Sequence, residues 1–91
     1  MRTERIEIYS DAVNAAIMRH PGRRFPGMLI QGDSLYILSQ NVAEALACAE
    51  PESDQWYVLK ELAEGLQGRV DLYVEVMREH NLELPFIRAS E

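Results

Sequence analysis

The feature that most constrains this chain is an apolar repeat in residues 56–77. Apolar side chains recur there at spacings that alternate between three and four residues: Trp56, Leu59, Ala63, Leu66, Val70, Tyr73 and Met77. Because this spacing returns to the same side of an α-helix, it predicts a helix over residues 54–80 with one continuous apolar seam. Gly65 and Gly68 interrupt the flank of the seam, and they leave open whether the helix is continuous.

A second, shorter seam precedes the first and predicts a partner for it. Its members are Leu35, Leu38, Val42, Ala45 and Ala49. They predict a helix over residues 34–49, which ends before Pro51 because proline cannot continue a helix. Two seams joined by a few residues are typical of helices that pack antiparallel, so we expect a long antiparallel helical hairpin.

The segments outside the hairpin have shorter patterns. Ile6 and Ile8 alternate with polar residues and predict a strand over residues 4–9. Ala12–Arg19 is rich in alanine and predicts a short helix, and the apolar run at 28–31 predicts a second strand that is central in the sheet or buried on both faces. Whether the two strands run parallel is open. The alternation in residues 82–87 indicates an extended C-terminal tail, which could add an edge strand.

Together these patterns predict an α+β fold in one domain, residues 1–91. A strand–helix–strand unit is followed by the helical hairpin and the short extended tail. A chain of 91 residues can bury one compact core and leaves no room for two.

The charge distribution restricts the partners. Residues 1–32 carry five arginines against three carboxylates, whereas residues 33–91 carry four basic groups against twelve acidic ones. The acidic helices would repel phosphate backbones, so a nucleic acid is an unfavourable partner and a basic protein a favourable one. No apolar run is long enough for a membrane span, and no secretory signal is visible. The single cysteine, Cys48, suits a reducing compartment, so we expect a cytoplasmic protein.

The most unusual polar segment is the loop at residues 20–27. Arg23 and Arg24 can bind a carboxylate or phosphate with both arms of the guanidinium, and Gly22 and Gly27 let backbone N–H groups approach an anion. We therefore predict a small-ligand site from Gly22, Arg23, Arg24, Gly27, Asp33 and Ser34. The structural alternative is that the arginines pair with carboxylates of the acidic helices, and that Asp33 and Ser34 cap the helix that follows.

Little in the sequence indicates catalysis or a metal. His20 and His80 are far apart and lack the spacing of metal ligands, and Cys48 has the features of a small core residue. We therefore expect no catalytic residues, no metal and no cofactor. An enzyme would need Asn14, His20, Asp33 and Ser34 around one pocket.

Two blocks of the sequence resemble a known group of proteins. The blocks are Pro21-Gly22-Arg23-Arg24-Phe25-Pro26-Gly27 and Gln31-Gly32-Asp33-Ser34-Leu35, preceded by Tyr9-Ser10-Asp11 with Asn14 and Ala16. They resemble a family of small uncharacterised bacterial proteins over about the first half of the chain. The resemblance implies a bacterial origin, and it assigns no activity, cofactor or site.

From these observations the favoured function is a non-enzymatic interaction protein, either an accessory subunit or an immunity-type inhibitor, that uses an acidic helical face. The alternative is a small anion-binding or ligand-binding module built on the Arg23 and Arg24 turn. The longer helix extends beyond the shorter one, so we also expect a possible homodimer through Val70, Tyr73 and Met77.

Overall fold

The computed structural model describes residues 1–88 and confirms an α+β protein. Three strands precede two helices: β1 Glu7–Ser10, β2 Ala16–Arg19, β3 Gly27–Leu29, α1 Gly32–Cys48 and α2 Asp54–Glu79. The contacts within the chain divide it into two compact units, Met1–Gln31 and Gly32–Glu91. Each unit is described in turn, and the single domain stays a prediction.

The N-terminal unit is a three-stranded antiparallel sheet in the order β1-β2-β3. Ile8 lies opposite Met18, and Ser10 lies opposite Ile17, so Tyr9 forms a bulge where the register shifts. Each of these strands is only three or four residues long. The connection of residues 11–15 is short, as expected for strands that run antiparallel.

The predicted helix at 12–19 is wrong, because Ala16–Arg19 forms the central strand of this sheet. Eight residues are too few for a stable isolated helix. A central strand instead pairs its backbone groups with both neighbours, and Ile17 is β-branched and suits that environment. The unit is therefore strand–strand–strand, and the crossover that a parallel arrangement would need is absent from residues 1–31.

The predicted burial of the last strand is also wrong. β3 lies at the edge of the sheet, and Gly27, Met28 and Leu29 are all exposed. An uninterrupted apolar run is typical of a strand that lies inside a sheet and is covered on both faces. β3 instead has a neighbouring strand on one side only. The run predicted a strand correctly but predicted its position in the sheet incorrectly.

In the C-terminal unit, both helices lie close to their predicted positions. α2 continues without a break through Gly65 and Gly68 over 26 residues. Ser53 caps its N-terminus, because the Ser53 hydroxyl accepts a hydrogen bond of 3.2 Å from the Trp56 N–H. At the other end, Asn81 has a φ of 55°, the left-handed conformation that ends many helices.

α1 and α2 contact each other, and one tight contact lies at Gly32. A Cβ atom added to Gly32 would lie 2.2 Å from Cζ of Tyr73. Because only glycine leaves room for the Tyr73 ring, this residue fixes the beginning of α1 against the C-terminal half of α2.

The buried side of α2 is the predicted seam, whereas the buried side of α1 is rotated. All seven seam residues of α2 are buried or half-buried. On α1, Ser39 is buried, while Leu38 and Ala45 of the predicted seam are exposed. The less exposed positions of α1 are Gly32, Leu35, Tyr36, Ser39, Val42 and Leu46.

The predicted edge strand in the tail is not confirmed. Residues 82–88 contain no strand and bend at Pro85 and Phe86. The Phe86 ring stacks on Tyr36 with centroids 4.2 Å apart and an angle of 2° between the rings. The Tyr36 hydroxyl donates a hydrogen bond of 3.3 Å to the Ile87 carbonyl oxygen, so the tail is fixed to α1 by aromatic and polar contacts.

Candidate interaction surfaces

The arginine loop begins with a tight turn at residues 20–23. The Arg23 N–H donates a hydrogen bond of 3.0 Å to the His20 carbonyl oxygen. Pro21 and Gly22 occupy the two central positions, and Gly22 has a φ of 86°. That conformation favours glycine, so Gly22 is explained by the turn itself.

Arg19 supports this turn from the central strand. Its guanidinium pairs with the Glu7 carboxylate across β1 and β2, and Nη1 donates a hydrogen bond of 3.1 Å to the Arg23 carbonyl oxygen. The hydrogen bond with Glu7 raises the pKa of Arg19 above its ordinary value, and the charge of Glu7 adds to the effect. Because the pair is exposed, it positions the loop more than it stabilises the sheet. Sequence reasoning missed it, since Arg19 was predicted to end a helix.

Arg23 and Arg24 are exposed and have no ion pair within residues 1–31. The Arg24 guanidinium lies 5.2 Å from the centre of the Phe25 ring, which is itself exposed. Gly22 and Gly27 have no atom within 4 Å of an added Cβ, so no enclosing wall surrounds the backbone at either position. The loop therefore presents two guanidinium groups and one aromatic ring on an open surface.

The other two residues of the predicted ligand site lie in the C-terminal unit. Asp33 and Ser34 are in the first turn of α1 and are exposed. The Ser34 N–H donates a hydrogen bond of 2.8 Å to Oδ1 of Asp33. An acidic residue in the first turn interacts favourably with the positive end of the helix dipole, which explains Asp33 without a ligand. The ligand site stays a prediction.

A cleft of about 390 Å³ lies near the beginning of the chain. It is lined by Arg2, Thr3, Glu4, Ile6, His20 and Pro21. His20 is the one member of the proposed catalytic set in this lining, and Asn14 is not part of it. Among residues 1–88 no three His, Cys, Asp or Glu side chains form a group that could hold a metal ion.

The second surface belongs to α2 and combines two rows of side chains. Four large apolar side chains, the apolar row, lie outside the buried seam and are exposed: Val58, Leu62, Leu72 and Val76. At 100° per residue, the seam and this row together give α2 an apolar arc about 200° wide. One helix packed on the seam covers only part of such an arc, so the apolar row remains at the surface.

Beside the apolar row lies a row of carboxylates. The acidic row consists of Asp54, Glu61, Glu64, Asp71 and Glu75, all exposed and all within an arc of about 100° around the helix axis. The helical spacing of these residues was visible in the sequence. Their place next to an exposed apolar row was not, because the sequence does not show which apolar side chains a partner helix covers.

Asp71 differs from the other members of the acidic row because it has partners. Gln67 Nε2 donates a hydrogen bond of 2.9 Å to Oδ1 of Asp71, and Arg88 Nη2 donates one of 2.8 Å. These contacts lower the pKa of Asp71, with Gln67 the larger cause and Arg88 the second. Arg88 thus neutralises one carboxylate and fixes the tail, and the remaining four carboxylates keep the row acidic.

An open groove of about 470 Å³ lies where the two rows meet. It is lined by Val58, Glu61, Leu62, Gly65, Leu66 and Arg69. Within the helix, Arg69 Nη1 donates a hydrogen bond of 3.0 Å to the Gly65 carbonyl oxygen, four residues earlier. The groove has an apolar floor, one carboxylate and one guanidinium, which suits the side chains of another protein.

Neither helix of the described chain combines the length and the apolar character that crossing a bilayer requires. The fold and the surfaces define a small α+β protein with an exposed arginine loop and an amphipathic helix whose outer side is part apolar and part acidic. A family model described as "Family of unknown function (DUF6959)" matches residues 1–86, so the chain belongs to that family. The predicted resemblance to a family of uncharacterised proteins is thereby confirmed. No curated protein and no solved structure matches the chain.

Proposed function

We propose that this protein is a non-enzymatic interaction protein, an accessory subunit or an immunity-type inhibitor, that binds a basic protein partner through the acidic row of α2. The observation that carries the proposal is the position of that row. Four unneutralised carboxylates lie along one side of a rigid helix, next to exposed apolar side chains. Carboxylates steer a basic partner to the surface, and apolar side chains beside them supply contact area.

The rigidity of the surface depends on how α1 and α2 pack. We infer an antiparallel hairpin along the full length of α1, starting from the contact between Gly32 and Tyr73. Equal steps inward from that contact place Leu35 opposite Val70, and Ala49 opposite Trp56. All four of these residues are buried or half-buried, which supports this register. A hairpin leaves the acidic row on the outside of α2.

We propose a cytoplasmic location on the basis of the cysteine. Cys48 was expected to be a small core residue, but it is an exposed free thiol at the end of α1. Exposed thiols persist in a reducing environment, so a cytoplasmic location fits the proposed role.

The proposal is tested by co-expression with the products of the neighbouring reading frames in the genome. We expect one of them to be basic and to form a complex that weakens strongly as the salt concentration rises. Replacing Glu64→Gln and Glu75→Gln together should weaken that complex by roughly tenfold. The matched control is Glu44→Gln with Glu50→Gln, which removes the same charge elsewhere and should leave binding unchanged. A complex equally sensitive to both pairs would contradict a role for the acidic row.

A second candidate is the binding of an anionic ligand at the arginine loop. It is favoured by one observation: Arg23 and Arg24 are exposed and lack an ion pair within their unit, while Phe25 offers a ring beside them. Phosphate or a nucleotide should raise the melting temperature of the protein. Replacing Arg23→Ala and Arg24→Ala should abolish the rise, and Arg2→Ala with Arg5→Ala should not. Equal stabilisation of all three proteins by phosphate would remove this candidate.

A further inference from the structure

The apolar row of α2 is exposed to an extent that calls for a partner. Val58 is 66% exposed, Leu62 49%, Leu72 60% and Val76 41%. The homodimer contact predicted from the sequence, through Val70, Tyr73 and Met77, stays a prediction. Val70, however, is only 1% exposed, and Tyr73 lies against Gly32 and near Phe86. The other side of the same helix therefore offers far more exposed apolar surface for a contact between two copies of the chain.

Two glycines lie in the middle of this outer side without a packing role among residues 1–88. An added Cβ at Gly68 would meet nothing within 4 Å, and one at Gly65 would meet only the Arg69 guanidinium at 3.5 Å. Glycine inside a helix is less favourable than alanine. Glycines also let the backbone of another helix approach closely. Their location between two pairs of exposed apolar residues indicates such an approach.

The spacing of the row suits a second copy of the same helix running in the opposite direction. Val58, Leu62, Gly65, Arg69, Leu72 and Val76 are separated by four, three, four, three and four residues. This order reads the same from either end, as an antiparallel two-fold pair of helices requires. Val58 then faces Val76 of the second copy, and Leu62 faces Leu72 of the second copy. The two-fold axis repeats these contacts, so each pair of facing residues occurs twice in the dimer.

The residues at the centre of the helix pair favour an antiparallel over a parallel arrangement. In an antiparallel pair, Arg69 of one copy faces Gly65 of the other, and it exchanges its hydrogen bond to the Gly65 carbonyl oxygen of its own helix for a contact across the pair. It then enters the groove of about 470 Å³, which Glu61 also lines, so the guanidinium meets a carboxylate. In a parallel pair Arg69 would face Arg69, and two like charges would oppose each other in an apolar contact.

We propose that the apolar row of α2 is a self-association surface, on which a second copy of the chain docks antiparallel across a two-fold axis midway between Gly65 and Arg69. The same geometry brings Glu61 of one copy near Glu75 of the other. The two Arg69 side chains offset this repulsion only in part, so the dimer tightens as salt screens the carboxylates. Glu64, an outer member of the acidic row, lies away from the contact and remains available to a partner.

Sedimentation equilibrium of the purified full chain tests the association. We expect a dimer at micromolar concentration, with a dissociation constant that falls as salt is added. Leu62→Asp places a carboxylate at two layers of the dimer and should raise the dissociation constant at least ~100-fold. Ile37→Asp is the matched control, because Ile37 is 58% exposed on α1 and takes no part in the contact. A wild-type chain that stays monomeric at micromolar concentration, both at low salt and after salt is added, overturns the proposal.

Disulfide cross-linking tests the direction without relying on a destabilised variant. In a Cys48→Ser background, Val58→Cys and Val76→Cys are prepared as separate proteins. Each alone should resist oxidation to a dimer, and a mixture of the two should give a cross-linked dimer. Cross-linking of Val58→Cys with itself, or no cross-linking in the mixture, overturns the antiparallel arrangement. Retained helix content by circular dichroism shows that each variant is folded.

Different substitutions test the self-association and the proposed partner complex, so each proposal can be contradicted without the other. Glu64→Gln with Glu75→Gln should weaken the partner complex, yet it should leave the dimer equally tight or tighter because it removes a repulsive carboxylate. Leu62→Asp should abolish the dimer and leave each acidic row in place. A protein that dimerises but binds no basic partner would therefore retain this inference while the proposed function fails.

Discussion

The sheet unit and the helical unit contain similar fractions of apolar residues but bury them to different extents. Residues 1–31 contain no buried residue, and large side chains such as Ile8 and Met28 are 60% exposed. The helical unit buries Val70 and Val74 almost completely. Long helices align many apolar side chains on one side, so a single contact covers several at once. Strands of three or four residues align only one or two, so each strand buries little apolar surface. The comparison indicates that the helical unit carries the stability of the chain.

The strongest test of this comparison substitutes one glycine in each unit. Gly32→Ala should destabilise the protein by about 2–3 kcal/mol, because the new Cβ would overlap the Tyr73 ring, and the Tyr73 ring is held near Phe86. Urea unfolding followed by circular dichroism at 222 nm, a standard helix wavelength, gives the free energy of unfolding.

The control for that substitution is Gly27→Ala in β3. An added Cβ there meets nothing within 4 Å, so the unfolding free energy should change by less than about 0.5 kcal/mol. Equal losses at both glycines would contradict the assignment of the tight contact to the helical unit.

Truncation of one apolar side chain in each unit gives the next largest contrast. Val70→Ala removes two buried methyl groups and should cost about 2 kcal/mol. Met28→Ala removes more atoms, yet the exposed side chain should cost less than about 0.5 kcal/mol. Thermal unfolding of the two variants measures both. A larger loss for Met28→Ala would show that the sheet holds a core of its own.

A smaller effect is expected at the beginning of α2. Ser53→Ala removes the oxygen that accepts from the Trp56 N–H and should cost about 1 kcal/mol. Ser53→Asp keeps an acceptor and should retain most of the stability. Both are measured by urea unfolding, and a loss of equal size in the two variants would argue against capping as the cause.

The smallest effect concerns pH. Hydrogen bonds from Gln67 and Arg88 lower the pKa of Asp71 in the folded chain. A lowered carboxyl pKa adds stability at any pH above its ordinary value, and that stability disappears as the pH falls through the folded pKa. Asp71→Asn should therefore cost a little at neutral pH and nothing in strong acid. Stability curves of both proteins that run parallel from neutral to acid pH would show that the contact is immaterial.

The helices were predictable because their patterns are long. The seam of α2 repeats over 22 positions, from Trp56 to Met77, and every member is buried or half-buried in the structure. A pattern of that length outweighs local preferences such as those of Gly65 and Gly68. The segment at 12–19 is only eight residues long, and helix propensity there gave the wrong answer because strand pairing decided its structure.

The surfaces were less predictable than the helices. The sequence identified Arg23 and Arg24 as distinctive and the carboxylates of α2 as exposed, and both are exposed in the structure. It did not separate the apolar residues that α1 covers from those of the apolar row. That distinction depends on the direction from which α1 approaches, which no residue of α2 specifies by itself.

The sequence by itself determined the two long helices, their approximate ends and the inward side of α2, because helical periodicity and capping are local properties of the chain. Only the tertiary structure decided that residues 16–19 are a strand, that Ser39 and not Leu38 lies inside, and that the apolar row stays exposed. Each of these depends on contacts between residues distant in the sequence. The fit of Tyr73 against Gly32 fixes the rotation of α1, and pairing with two neighbouring strands fixes β2.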